Sequence, residues 1–295
     1  MKRVMFFVLC VCCGLSHAQS QSSAQLASTA NRAALLQRFV APKPMSYRVE
    51  VMFGPSNFAS MSNPSATNPV SVNPTRILEV RNGLLTSSPS VPGAQFAISD
   101  QTKSIVALLS NYQAQWQELA AKAKLAERPV QQLKLIPRDG WRYTRVLWLD
   151  EQTGVPLKTE IYRKNELIER IQVKNIDFFD AVSTAKVDAN GSDKTDSASE
   201  IATQSMFYVR NVPTGFVLTS VFNDAIHVQQ IYSDGLARVS VFVQAIGALP
   251  AAGYSQRGST GFVVRRNGNV DLVAVGDVPQ ATLDRFLSGI DAIQQ

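Results

Sequence analysis

The feature that most constrains the fold is a run of three consecutive antiparallel strands in the middle of the chain. The first hairpin joins residues 143–149 to 156–162 through a short polar turn that ends in Gly154, because glycine adopts positive φ most easily. The second hairpin joins residues 156–162 to 167–176, and Asn165 in its turn is predicted to take the left-handed conformation. Apolar and polar residues roughly alternate along these strands, which predicts a sheet with one buried face.

The N-terminus has the pattern of a cleavable signal peptide. Two basic residues precede an apolar run at residues 4–15, which is too short to span a membrane, and small residues around Ala18 suit a signal peptidase. The sequence therefore predicts a signal peptide over residues 1–18. All three cysteines lie within this segment, so the mature chain would have no thiol for a disulfide or for catalysis. A lipid-modified Cys12 or Cys13 is a less favoured alternative, because no suitable small residue precedes either one.

The length of the chain indicates two domains, and its charge limits the partners it can have. At 295 residues the chain has room for two domains of ordinary size. Removing residues 1–18 takes away two basic residues and leaves 27 basic against 23 acidic ones, a net charge of +4. This mild excess suits an acidic peptide or an anionic lipid headgroup. The basic residues form no block, and an exported protein rarely meets DNA, so nucleic acid is not a predicted partner.

The first predicted domain covers residues 24–180 and combines the hairpins with two helices. Helical spacing of apolar residues predicts helices at residues 24–39 and 111–125. The pair Asn82-Gly83 predicts a two-residue hairpin, and residues 54–74 form a long loop. Further strands are expected at residues 45–53, 75–80, 84–86, 95–99 and 104–109.

A second domain, residues 206–295, follows a flexible linker at residues 181–205 that is rich in small and polar residues. The pairs Asp234-Gly235 and Asn267-Gly268 predict two hairpins in this domain. Its last helix has an apolar stripe, and Asp277 is predicted to cap the start of that helix. The domain is therefore expected to be a small antiparallel sheet with one helix packed on it, which makes the whole chain α+β.

Most enzyme sites need residue types that this sequence does not supply. Without cysteine, and with His227 as the single histidine of the mature chain, neither a thiol nucleophile nor a multi-histidine metal site can form. The sequence has no nucleophile elbow, phosphate-binding loop or dinucleotide motif. We therefore expect no catalytic residue, no metal and no cofactor. A hydrolase that uses His227 is kept only as an alternative.

Aromatic and basic residues around the first hairpin are the candidate ligand-binding residues. Cross-strand packing explains aromatic side chains in most sheets. The alternative is a concave apolar surface that accepts acyl chains, with arginines at its rim to meet phosphate. On that alternative the candidate lipid-binding residues are Trp141, Tyr143, Trp148, Tyr162, Arg142 and Arg145.

Two separate blocks of residues, in the same order, resemble one protein family. The first block contains Pro137-Arg138-Asp139-Gly140, Leu147-Trp148-Leu149-Asp150 and Thr153-Gly154-Val155-Pro156-Leu157-Lys158. The second contains Val212-Pro213-Thr214-Gly215-Phe216, Tyr232-Ser233-Asp234-Gly235-Leu236-Ala237 and Val275-Gly276-Asp277-Val278-Pro279. In these blocks the chain resembles RseB and MucB, the periplasmic regulators of an envelope-stress sigma factor.

The resemblance implies a fold, a location and a role. The fold is an N-terminal half-barrel of antiparallel strands with plugging helices, similar to the lipoprotein carrier LolA, followed by a smaller C-terminal domain. The role is that of a periplasmic, non-catalytic regulator. It binds the periplasmic region of an RseA- or MucA-type anti-sigma factor and protects it from regulated proteolysis, and lipid or lipopolysaccharide in the N-terminal domain releases it.

The candidate contacts with the anti-sigma factor lie in the second domain. Its strands around Tyr232–Val243, together with the adjoining sheet of the first domain, are expected to meet the partner, and the candidate residues are Tyr232, Asp234, Arg238 and Phe242. A homodimer and a periplasmic lipid or lipoprotein carrier of the LolA kind stay open as alternatives.

Overall fold

The computed structural model describes nine segments of the chain, which together have an α+β fold. The described residues are 9–43, 45–54, 75–81, 84–87, 105–119, 123–179, 207–223, 227–246 and 252–292. Within them lie two antiparallel sheets, a two-stranded ribbon and three helices, so the predicted fold class is confirmed. The predicted loop at 54–74, except for Gly54, lies outside the described residues, and so do the predicted strand at 95–99 and the predicted linker at 181–205.

The first sheet is open and entirely antiparallel. Its strands are β1 (Ser46–Gly54), β2 (Thr75–Arg81), β3 (Leu84–Ser87), β4 (Tyr112–Gln117), β5 (Lys124–Leu125), β6 (Arg128–Pro137), β7 (Thr144–Asp150), β8 (Pro156–Arg163) and β9 (Glu166–Phe179). They follow the order β3-β2-β1-β9-β8-β7-β6-β4, and the short β5 also pairs with β6. Within the described strands no pairing joins the edges β3 and β4, so the sheet does not close into a barrel there.

The predicted three-strand stretch folds as β7, β8 and β9. These strands pair in two antiparallel hairpins, and the hairpin predicted around Asn82-Gly83 joins β2 to β3. Gly154 has a φ of +78°, as its turn requires. In the second turn the left-handed residue is Lys164, with a φ of +56°, so the prediction for Asn165 is wrong. The two-residue loop between paired Arg163 and Glu166 places its positive φ at the first central residue.

Two helices, α1 (Leu9–Val40) and α2 (Ile105–Asn111), pack on one face of the first sheet. The helix predicted at residues 24–39 is confirmed, but it starts earlier, at Leu9. Among its residues from Gln25 onward, the buried apolar ones lie in the last two turns; they are Leu35, Leu36, Phe39 and Val40. No helix within the described residues is long and apolar enough to cross a membrane.

The second predicted helix of this half, at residues 111–125, is wrong. Its apolar spacing also fits a strand, because Tyr112, Ala114 and Trp116 alternate with polar residues. Pairing of β4 with β6, which sets Ala114 opposite Leu135, supplies a ladder of hydrogen bonds that the local pattern could not reveal. The residues just before form α2, where the sequence predicted a strand at 104–109.

The second sheet carries one helix on one face. Its strands are β11 (Val217–Asn223), β12 (His227–Ser233), β13 (Arg238–Ala245), β14 (Gly253–Arg257), β15 (Thr260–Asn267) and β16 (Val270–Gly276), in the order β11-β12-β13-β16-β15-β14. The helix is α3 (Gln280–Ser288), and a ribbon of β10 (Phe207–Val209) and β17 (Ile290–Ala292) completes the fold. Both predicted hairpins, β12–β13 and β15–β16, are confirmed.

The apolar stripe of α3 is buried as predicted, but the helix start is not capped as predicted. Leu283, Phe286 and Leu287 pack into the core of the second sheet. The N-cap residue is Pro279, without a side-chain capping hydrogen bond. Asp277 instead faces the first sheet, where a buried arginine provides a stronger partner for its charge than the helix end does.

Candidate functional site between the two sheets

A buried ion pair joins the loop before β7 to the turn between β12 and β13. Arg142 Nε donates to Asp234 Oδ2 at 2.5 Å, and both side chains are 0% exposed. The other two nitrogens of Arg142 donate to the carbonyl of Thr214 at 2.6 Å and to the carboxylate of Asp139. One guanidinium therefore ties the first sheet to two separate loops of the second half.

The local sequence of the β12–β13 turn orients Asp234 towards this arginine. Gly235 allows the turn with a φ of +92°. Asp234 Oδ1 accepts the backbone N–H groups of Leu236 at 2.8 Å and Ala237 at 2.7 Å. Because the turn itself occupies one carboxylate oxygen, the other is held in place for Arg142.

Aromatic side chains surround the Arg142–Asp234 pair. The guanidinium carbon lies 4.6 Å from the centre of the Phe216 ring, and the Tyr112 hydroxyl donates to Asp234 Oδ2 at 3.0 Å. Burial raises the pKa of Tyr112 well above its usual value, and the charge of Asp234 raises it further, so this hydroxyl keeps its proton. Burial alone would lower the pKa of Arg142, but the hydrogen bond to Asp234 and the charges of Asp234 and Asp139 together raise that pKa.

A second ion pair joins β7 to the segment before α3. Arg145 donates to Asp277 Oδ2, and their side chains are 8% and 25% exposed. Asp277 Oδ1 accepts the backbone N–H of Arg238 at 2.7 Å, which anchors the aspartate to the second sheet. Burial opposes the charge of Arg145, but the neighbouring charge of Asp277 raises the pKa of this arginine. The two ion pairs together hold the sheets in one arrangement.

Weaker contacts surround the two ion pairs. The Thr282 hydroxyl donates to the Trp141 carbonyl at 2.8 Å, and the Arg285 guanidinium lies 4.8 Å from the centre of the Trp141 ring. Gln256 Nε2 donates to the Tyr143 hydroxyl at 3.3 Å. Burial raises the pKa of Tyr143, so this hydroxyl stays neutral around pH 7.

A cavity of about 220 Å³ opens beside the second ion pair, between the two sheets. Its lining includes Phe39, Arg145, Leu147, Ile161, Leu236 and Arg238. Within the described residues no group of three or more histidine, cysteine, aspartate or glutamate side chains could hold a metal ion. The site therefore consists of two ion pairs that join the sheets and a cavity beside them.

Four of the six predicted lipid-binding residues lie at the contact between the sheets. They are Trp141, Arg142, Tyr143 and Arg145. Both arginines are buried against aspartates, so neither stands on an open rim. Among them, Arg145 lines the cavity. Lipid binding by these residues stays a prediction.

The other two predicted lipid-binding residues, Trp148 and Tyr162, lie on the opposite face of the first sheet. Successive residues of a strand point to opposite faces, so Trp148 points away from the cavity that Leu147 lines. The ammonium of Lys158 lies 4.0 Å from the centre of the Trp148 ring. The Tyr162 hydroxyl donates to a carboxylate at 2.7 Å on the same face. The structure therefore does not bring the four predicted aromatic residues together in one cavity.

The predicted partner-binding residues occupy three kinds of position. Tyr232 is 5% exposed in the core of the second sheet, with its ring centre 5.1 Å from that of Phe286. Asp234 belongs to the first ion pair, and Arg238 lines the cavity. Phe242 is half-buried on the sheet face away from α3. Of these four, Arg238 and Phe242 are the ones that a partner could touch without displacing core packing.

The sequence indicated no binding role for Asp139, and for Asp277 it indicated a helix cap. One signal for the site was present in β7. Arg145 falls on the same two-residue period as the apolar residues Tyr143 and Leu147, and so on the buried face. A charge at a buried strand position requires a partner charge. That partner, from a distant part of the chain, had no local signature.

Two family models match the chain in sequence order. The model described as the MucB/RseB N-terminal domain matches residues 65–190, and the model described as the MucB/RseB C-terminal domain matches residues 202–291. Together these matches reach into both sheets and both ion pairs.

Curated relatives carry the same family names. The sigma factor AlgU regulatory protein MucB of Pseudomonas aeruginosa is 33% identical over 197 residues, which cover 60% of this chain and 61% of that protein. The sigma-E factor regulatory protein RseB of Haemophilus influenzae is 23% identical over 186 residues, 57% of each protein. The matched region therefore spans about three fifths of the length of these relatives.

Solved structures share the fold. A crystal structure of MucB in complex with MucA(peri) has a TM-score of 0.58 at 23% identity and covers 89% of this chain and 99% of that one. The complex of Pseudomonas aeruginosa MucA and MucB has a TM-score of 0.59 at 22% identity, with the same coverage of both chains. At this level of identity the likeness establishes the fold, an arrangement of two antiparallel sheets with few helices.

Proposed function

This chain belongs to the MucB/RseB family, and from that premise we propose that it is a periplasmic regulator that binds the periplasmic region of an RseA- or MucA-type anti-sigma factor. In this proposal the bound segment is protected from regulated proteolysis, and lipid or lipopolysaccharide in the N-terminal domain causes its release. Residues 1–18 act as the signal peptide, and the protein carries out no catalysis.

The observation that carries the proposal is the match of both family models in order, on a chain whose fold is that of MucB crystallised with MucA(peri). The site geometry supports a binding role. The sheets meet through buried ion pairs and leave a cavity beside them, and within the described residues no metal-binding cluster lies at this contact. A site of that kind can hold a partner or report a ligand.

The ion pairs also suggest how one ligand can influence another. A ligand that binds better to one arrangement of the sheets shifts the population towards that arrangement. If the anti-sigma segment touches both sheets, its affinity changes with that arrangement, and the coupling is reciprocal. Lipid binding then lowers the affinity for the anti-sigma factor by changing how the two sheets are arranged, although the two ligands bind different atoms.

Calorimetric titration of the purified mature protein with the periplasmic segment of its cognate anti-sigma factor tests the proposal. We expect saturable binding, and no binding of a scrambled segment of the same composition. Phe242→Ala should weaken binding by about 1 kcal/mol or more if Phe242 is one of the few residues that carry most of the binding energy of the interface. Tyr208→Ala, which removes an aromatic residue 68% exposed in the β10–β17 ribbon, is the matched control. Absence of binding, both before and after bound lipid is extracted, would refute the proposal.

A cleavage assay tests the protective role separately. The anti-sigma factor is incubated with the first regulatory protease, with and without this protein, and then with added lipopolysaccharide. We expect slower cleavage in the presence of the protein and recovery of cleavage on adding lipopolysaccharide. Binding without protection would keep the partner assignment and overturn the regulatory step.

The carrier alternative predicts a different result. A carrier of the LolA kind needs only the first sheet and its helices to hold an acyl chain. The second sheet, tied to the first by two ion pairs, has no task in that alternative. Transfer of labelled lipid between two vesicle populations by the purified protein, without binding of the anti-sigma segment, would favour the carrier.

A further inference from the structure

The cavity between the sheets has an apolar floor and a polar roof. Its floor comes from neighbouring strands of the first sheet, where Leu147 and Thr159 are paired, and Thr159 and Ile171 are paired. Its roof comes from β13 of the second sheet, through Arg238 and Ser240, and from β16, through Val275 and Gly276. A molecule that fits here must present an apolar surface on one side and hydrogen-bonding groups on the other.

A buried cation stands where the floor meets the roof. Arg145 lines the cavity, and 8% of its side-chain area is exposed. One end of its guanidinium donates to Asp277, but the buried Nε has no hydrogen-bond partner in the described part of the chain. A buried N–H without an acceptor has lost the hydrogen bond that it makes with water in the unfolded chain. Because Arg145 lines the cavity, a ligand with an acceptor can approach its guanidinium there.

The charges around the cavity limit the kind of acceptor. The cations Arg145 and Arg238 line it together with the anions Glu169 and Asp277. Each anion already accepts a backbone N–H, Glu169 from Ser259 at 2.9 Å and Asp277 from Arg238 at 2.7 Å. Because the two cations and two anions balance, a doubly charged group such as a phosphate monoester would leave two uncompensated charges in a partly buried site, which burial disfavours more strongly than one. A single negative charge, shared between the two arginines, fits better.

We propose that this cavity is a binding site for a carboxylate attached to an apolar chain. The carboxylate lies against the Arg145 guanidinium beside the Asp277 ion pair and faces Arg238, and the apolar chain lies on Leu147, Ile161 and Ile171. The site takes residues from both sheets, so its occupant stabilises their present arrangement. The proposal goes beyond anti-sigma binding and needs no anti-sigma factor for its test.

Titration calorimetry of the full mature chain with octanoate tests the site, and octanol is the matched probe that lacks the charge. We expect saturable binding of octanoate at one site and weaker binding of octanol by about tenfold or more, the value of a charge-assisted hydrogen bond. Octanol that binds as tightly as octanoate, or octanoate that does not saturate, would overturn the proposal.

Two variants locate the binding. The double variant Arg145→Gln with Asp277→Asn removes both charges of the ion pair and leaves no buried charge unpaired, so it should fold; it should lose the preference for octanoate over octanol. Ile171→Phe narrows the floor without touching a charge and should weaken both probes. Arg265→Gln, whose ion pair with Asp284 lies outside the cavity lining, is the control. Wild-type affinity for octanoate in both the double variant and Ile171→Phe would refute the assignment.

Two sources could supply this chemistry, a free fatty acid or the C-terminus of a peptide that ends in an apolar residue. A short apolar peptide with a free C-terminus and its amidated form separate them. Octanoate binding without binding of either peptide assigns the site to fatty acids. Binding of the free peptide that octanoate competes away, with the amidated form inactive, assigns it to chain termini.

Discussion

Replacing Arg142 with glutamine should destabilise this protein far more than replacing an exposed arginine. Arg142 and Asp234 are both 0% exposed, so the variant leaves a buried carboxylate without its cation. Breaking a buried pair from one side typically costs about 3–5 kcal/mol of unfolding free energy. The Tyr112 hydroxyl and two backbone N–H groups still reach Asp234, which favours the lower end of that range.

Urea unfolding followed by circular dichroism and tryptophan fluorescence measures this cost. Trp141 lies beside the ion pair, so its fluorescence reports on the contact between the sheets as well as on global unfolding. Adding Asp234→Asn to Arg142→Gln removes the orphaned charge and should return part of the loss. The two changes should therefore be non-additive by about 0.5–3 kcal/mol, as expected for residues in contact.

Arg265→Gln is the matched control, because Arg265 and Asp284 form an ion pair with side chains 44% and 31% exposed. Such a pair contributes about 0.2–1 kcal/mol. If Arg142→Gln cost no more than this control, or if the double variant lost the sum of the two single losses, the buried ion pair would not hold the sheets together.

Two further predictions follow from the geometry. Gly215→Ala should lower the unfolding free energy by more than about 1–2 kcal/mol, which is the cost of a positive φ alone. Gly215 has a φ of +86°, and an added Cβ would also lie 2.1 Å from Asn111 Oδ1. The control in the same urea assay is Gly268→Ala, because Gly268 has a φ of +58° but open space around it. Burial and the hydrogen bond to Glu160 raise the pKa of Tyr162 to about 12. The ordinary pKa of tyrosine is about 10. The contribution of Tyr162 to stability should therefore be complete below about pH 10 and be lost as the pH rises through about 12. Tyr162→Phe should flatten that alkaline decline in unfolding free energy, and an unchanged decline would contradict the assignment.

The hairpins could be predicted because their turns depend on a few adjacent residues. Gly154, Gly235 and Gly268 all adopt the positive φ that the sequence indicated. The prediction failed where one apolar pattern fits two structures: the residues of β4 have both helical and alternating spacing, and their pairing with β6 decided the outcome. Local propensity is a weak determinant when a distant strand offers a full ladder of hydrogen bonds.

The candidate site was predicted in part. The sequence singled out Arg142, Arg145 and Asp234, but it placed the arginines at a lipid rim and the aspartate against a protein partner. In the structure Arg142 and Asp234 pair with each other, 92 positions apart in the chain. The residue types were informative because a charge in an apolar strand has few roles. The residue types did not reveal which charges pair, because no local pattern indicates which distant side chain lies opposite.

The sequence by itself determined the antiparallel hairpins, the amphipathic last helix and the family blocks, since each rests on turn chemistry or periodicity within a short window. Only the tertiary structure decided that two sheets meet through Arg142–Asp234 and Arg145–Asp277 and enclose a cavity beside them. The reason is physical. Burial and Coulomb attraction act between groups that are close in space, and these groups are separated by 92 and 132 residues of chain.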